Sequence, residues 1–146
     1  MLIFKFPEDK KYFTDLLCIG NESIGKYSDL FDFREPSVKR REFGGLRNRF
    51  LKKFIEEKGK ICELNIPEKC DINSGFQIDH LIPLSSNKLN KEIRKLKPEK
   101  GKKIITQSFG SNHEKNLLLV CKNCNANKKH RFLNKEKIQF LLKNKF

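Results

Sequence analysis

Gln77-Ile78-Asp79-His80-Leu81-Ile82-Pro83-Leu84 and Asn116-Leu117-Leu118-Leu119-Val120-Cys121-Lys122-Asn123-Cys124-Asn125-Ala126-Asn127-Lys128 are the two most structured-looking stretches of this 146-residue chain. The first follows Phe76 and stops near Pro83, which cannot donate to a ladder; it predicts a strand over 76–80. The second begins with a short apolar run bounded by the turn Gly110-Ser111-Asn112, and predicts another strand. A helix is expected from Cys124 to Lys129, and a terminal one over 134–143, with Ile138, Leu141 and Leu142 on one face.

Between these strands lie the Lys-rich residues 86–103, which suit a helix up to Pro98 and Gly101. Upstream, Leu46, Phe50, Leu51, Phe54 and Ile55 recur at helical spacing, with Arg47, Arg49, Lys52 and Lys53 opposite. That helix is expected to open at Gly44-Gly45 and end at Gly59. Further back, residues 20–42 read as a loop with one strand or turn at Leu30-Phe31-Asp32-Phe33. Residues 8–19 read as a short helix, and residues 2–6 as a short strand. Repeats and long linkers are absent from the sequence.

The five cysteines are an odd number. Met1-Leu2-Ile3-Phe4-Lys5-Phe6-Pro7 has no long apolar segment before a small-residue cleavage site, so cytoplasmic residence is expected. No apolar run approaches the ~18 residues of a membrane span. Metal ligation therefore ranks above disulfides. Cys121-x-x-Cys124 is a knuckle whose sulfurs can converge on one ion, and Cys62 and Cys70 offer the second pair. Four thiolates would fill a tetrahedral, structural Zn²⁺ site with no open position. Cys18, in an apolar stretch, is expected to be a small buried hydrophobe.

The formal charge is +14, and its placement is uneven. Residues 1–45 hold 8 basic and 8 acidic side chains, whereas residues 46–146 hold 24 and 10. An excess confined to one part of the chain points to a polyanion, and nucleic acid is the commonest. Asp79-His80 adds a base beside a carboxylate, and Asp and Asn oxygens suit a hard divalent cation.

Together with Cys62 and Cys70, the pattern Asp79-His80, Asn116, Cys121-x-x-Cys124-Asn125-x-x-Lys128 resembles the HNH family of nucleases, over residues 62–128. The resemblance implies an α+β fold with a ββα-metal core and a four-cysteine zinc site, flanked by helices and a small N-terminal α/β extension. It implies an H-N-N variant in which His80 is the general base, Asp79 and Asn125 hold Mg²⁺ or Mn²⁺, and Asn116 braces the loop that orients His80. Lys128 falls where the family carries a basic residue near the scissile phosphate. Lys128, Lys129, Arg131, Arg40, Arg41 and Arg47 are the expected DNA contacts.

Two regions are expected: an extension over 1–45, for recognition or dimerisation, and a nuclease domain over 46–146 with a basic insertion at 85–112 beside the substrate. The expected activity is metal-dependent hydrolysis of double-stranded DNA by a type II restriction enzyme. It would act as a homodimer on a palindrome, with a cognate methyltransferase as a possible partner. A phage or mobile-element homing or nicking enzyme, and an inactive zinc-stabilised DNA-binding module, are the alternatives.

Overall fold

The structure is a computed structural model that describes residues 2–85, 87–95, 107–128 and 133–146. Five helices are described: α1 (Pro7–Leu17), α2 (Pro36–Lys58), α3 (Asn87–Arg94), α4 (Lys122–Lys128) and α5 (Lys135–Lys143). Two strands, β1 (Phe76–His80) and β2 (Leu117–Cys121), form an antiparallel sheet. Short 3₁₀ turns occur at Ile24–Leu30, Ile72–Ser74 and Glu114–Asn116. The architecture is α+β. None of the described helices is long and apolar enough to cross a membrane.

The register pairs Phe76 with Cys121, Ile78 with Leu119, Asp79 with Leu118 and His80 with Leu117. Residues paired across a sheet share a face, and successive residues alternate. Ile78, Leu117 and Leu119 thus pack with Phe43 and Phe54 of α2 on one face. Leu118 and Val120 face the larger cluster, which includes Phe13, Leu17, Leu30, Phe109, Ile138 and Leu141. Every residue of β2 is buried, which explains its unbroken apolar run.

Helix α2 begins at Pro36, eight residues before the expected Gly44-Gly45 start. Proline at the first helical position is preorganised and loses no hydrogen bond. Lys39, Phe43 and Phe54 are all buried along this helix, so its packed stripe runs straight past both glycines. That packing outweighs the roughly 1 kcal/mol helix penalty of each glycine. Gly59, at φ 79°, caps the end as expected. The expected boundary after residue 45 therefore falls inside a helix. Residues from both sides of it, such as Phe13 and Leu118, share one cluster.

Residues 2–6 form no strand among the described residues. Their apolar side chains serve aromatic packing instead: the Phe4 ring lies 5.3 Å from both Phe31 and Phe33. Cys18 caps α1 and packs, partly buried, against the core. In the insertion, α3 ends at Arg94, before the Pro98 and Gly101 that were expected to bound it. Arg94 is not a free cation; it donates to the buried Asp9 of α1 at 2.9 Å and stacks over Phe6. Leu89 is buried, Asn90 donates to the Gln107 carbonyl, and the Arg94–Asp9 pair docks α3 against α1. Lys97, Lys100, Lys102 and Lys103 lie outside the described residues.

Candidate functional site

Two features lie on the sheet: a cysteine cluster at the Phe76–Cys121 end and a basic cleft lined along β1 from Gln77 to His80. The sulfur atoms of Cys62, Cys70, Cys121 and Cys124 lie within 4.8 Å of one another. The wide spacing of the first pair is closed by a loop with two left-handed residues, Asn65 at φ 44° and Glu68 at φ 65°. This loop turns its amides inward. Ile66 N–H donates to Cys124 Sγ and Asp71 N–H to Cys121 Sγ, both at 3.4 Å. Cys121 N–H donates to Cys62 Sγ, and Cys124 N–H to Cys121 Sγ, both at 3.3 Å. Burial pushes the Cys121 thiol up, but the Cys124 and Asp71 amides outweigh it and bring it down to about 6. Four soft donors held by inward amides are positioned to bind a metal ion and fit structural zinc.

At the other end, Asp79, His80, Gln77, Arg40, Phe43, Arg47, Lys122, Asn125 and Lys128 are among the residues that line a cavity of about 660 Å³. The alternation of β1 aims His80 toward α2 and Asp79 toward α4. His80 meets the edge of the Phe43 ring at 4.5 Å between centroids. Its Nε2 is 2.8 Å from Asn112 Oδ1. Burial pushes the His80 imidazole below its ordinary value of 6.5; the Asn112 bond and the Asp79 charge pull only partly the other way.

Asp79 Oδ1 accepts from the His80 amide at 2.9 Å. Its Oδ2 is buried and accepts no directed hydrogen bond, although Lys128 Nζ is 2.7 Å away as an ionic contact. Lys128 also donates to the His80 carbonyl at 3.2 Å. Expected as a surface cation for nucleic acid, Lys128 is instead 3% exposed and directs its charge at Asp79. Asn125 donates through Nδ2 to Gln77 Oε1 at 2.6 Å, which leaves its Oδ1 out of that bond. Asp79 and Asn125 both present hard oxygen donors to the cavity.

Asn116 is fully buried behind the cleft. Its Oδ1 accepts from Ile82 N–H at 2.8 Å, and its Nδ2 donates to the carbonyls of Ile82 (3.0 Å) and Ser111 (2.7 Å). It braces the chain just after His80 without touching the ring. Asn112 is the residue that hydrogen-bonds to the ring, and sequence reading left it as part of a turn. The only signal there was its place in Gly110-Ser111-Asn112.

Lys39 of α2 is fully buried. Its Nζ donates to Asp32 O (2.6 Å), Ser108 Oγ (2.7 Å) and Gly110 O (2.7 Å). These bonds pin the loop carrying Asn112 to α2. Desolvation brings the Lys39 amine down to about 8. Arg40 and Arg47 line the cleft, while Arg41 is exposed and outside its lining. Lys129 and Arg131 lie outside the described residues. No family model, curated protein or solved structure matches the chain.

Proposed function

We propose that this protein is a divalent-metal-dependent endonuclease of the HNH kind that hydrolyses phosphodiester bonds of double-stranded DNA, most consistent with a sequence-specific restriction enzyme. The observation that supports it is the shared cleft: Asp79, His80 and Asn125 face one cavity with Arg40, Arg47 and Lys122 in its lining. An imidazole held neutral beside hard oxygen donors and a cationic lining suits attack on a phosphodiester. A DNA-binding module needs only the cationic part.

In this reading His80 takes the proton of the attacking water as its oxygen bonds to phosphorus. The bond to the 3′ oxygen breaks, and that oxygen leaves with the electron pair. Asp79 and Asn125 would hold Mg²⁺ or Mn²⁺, which supplies positive charge for the developing phosphorane and the leaving oxygen. Lys128, buried beside Asp79, keeps a fixed cation at the same place. Asn116 holds the turn that ends β1, and so the direction in which His80 leaves the strand. Arg40 and Arg47, exposed on α2, grip the backbone. The four cysteines hold structural zinc and tie the 62–70 loop to the start of α4.

The test is digestion of a defined plasmid and a phage genome with Mg²⁺ or with EDTA, beside Asp79→Ala and His80→Ala. Discrete fragments, lost in EDTA and in both variants, are expected. A smear would replace the restriction role with a nonspecific nuclease. Retardation of DNA without cutting would overturn the enzyme in favour of a binding module.

A further inference from the structure

We infer that Asn112 is a positioning residue that fixes His80 in one tautomer, with the proton on Nε2 and the lone pair on Nδ1. The inference rests on the nuclease reading for its purpose but not for its geometry. Asn112 Nδ2 lies 2.8 Å from the Lys39 carbonyl and 3.2 Å from Glu42 Oε1. Both are acceptors only, so the amine end of the Asn112 amide must face them. Its Oδ1 then faces His80 Nε2 at 2.8 Å, and a carbonyl oxygen can only accept. Nε2 must therefore donate. A neutral imidazole has one N–H, so Nδ1 is left as the base.

The orientation does not depend on a single bond. Asn112 is 6% exposed, and the amide cannot flip without setting an oxygen against the Lys39 carbonyl and the Glu42 carboxylate. Glu42 is itself held by Arg34 at 2.9 Å, and Arg34 by Asp32 at 2.7 Å. Lys39 fixes the same loop from below through Ser108 and Gly110. Phe43 closes one side of the ring. Asn112 touches no reacting atom; it acts through the ring it holds.

The test is nitrogen-15 NMR of the three histidine rings in the full-length, zinc-loaded protein. Spectra are taken at pH about 8, above the ordinary histidine value, and His113→Gln and His130→Gln give the assignment. The wild type is expected to show His80 protonated at Nε2 and bare at Nδ1. Asn112→Ala is expected to show a mixture of tautomers and a kcat roughly 10- to 100-fold lower with KM little changed. A wild-type ring protonated at Nδ1 overturns the inference, and so does a folded Asn112→Ala with an unchanged tautomer. Should Asn112→Ala fail to fold, the wild-type spectrum still decides, because a ring protonated at Nδ1 overturns the inference. A wild type that cuts no DNA refutes the nuclease reading while leaving this spectrum to be read on its own.

Discussion

Gly110→Ala is expected to destabilise the protein by about 2–6 kcal/mol and to disable the cleft with it. The backbone here is not left-handed, so the cost is not conformational. It is a matter of space. A Cβ at Gly110 would lie 2.5 Å from the Pro83 carbonyl oxygen, and closer still to that of Ile82. Both are backbone atoms of the segment braced by Asn116 and cannot swing aside. The two strands of chain must separate, which strains the Gly110 N–H bond to Pro83 O (3.2 Å) and the bond from Lys39 Nζ to Gly110 O (2.7 Å). Leaving two buried polar groups poorly paired costs about 1–3 kcal/mol each. That sets the range, a large part of the roughly 5–15 kcal/mol of a typical domain. Asn112 is two residues away, so its hold on His80 loosens too. Urea unfolding at fixed zinc, beside plasmid cleavage, is the assay. Gly45→Ala is the control of opposite sign, since nothing lies within 4 Å of a Cβ there. In a helix interior it should add up to about 1 kcal/mol. A Gly110→Ala protein within about 1 kcal/mol of wild type, and fully active, would refute the packing argument.

Cys121→Ser should lose zinc and melt far below wild type, because the metal's binding energy is folding energy; normal zinc content by emission spectrometry with an unchanged melting curve would contradict the metal site. Cleavage should hold its rate down to pH 6.5 and fall only below it, because burial depresses the His80 pKa. The same shift has a stability counterpart: below pH 6.5 the unfolded chain takes up a proton that folded His80 resists, so stability declines as pH falls. His80→Ala should lack that part of the decline in urea titrations across pH 5–8, and identical slopes would count against a buried neutral ring. Arg40→Ala and Arg47→Ala should each reduce the slope of log binding constant against log salt by about 1; an unchanged slope would remove α2 from the DNA-facing surface.

The elements with strong local signals were legible. Strand β1, the apolar β2, the knuckle that starts α4 and the Gly59 cap all announce themselves within a few residues. What escaped has non-local causes. The start of α2 was hidden by Gly44-Gly45, whose weak propensity is overruled by a packed stripe set by the sheet beneath. Nothing local marks Lys39, Arg94 or Lys128 as turned inward, since composition cannot say that a lysine will find three carbonyl or hydroxyl partners, or that an arginine will find Asp9. In the cleft, Asp79, His80 and Asn125 line one cavity. Asn112 did not stand out, because its meaning arises only when residues about 70 positions away, Lys39 and Glu42, close around it.

The end-to-end order of the sheet has a kinetic meaning. Its strands are separated by 36 residues of chain, a costly loop to close by chance. Yet Phe76, six residues past Cys70, pairs directly with Cys121. A chain whose thiols had already gathered around an ion would hold the first rung in place, and the ladder would zip from there toward His80–Leu117. That nucleation point also guards the alignment. A slip of one residue would exchange the faces of Asp79 and His80, turning the imidazole toward α4 and the carboxylate toward α2. Under the proposed function, a metal clamp at the Phe76–Cys121 end would proofread which face Asp79 and His80 present.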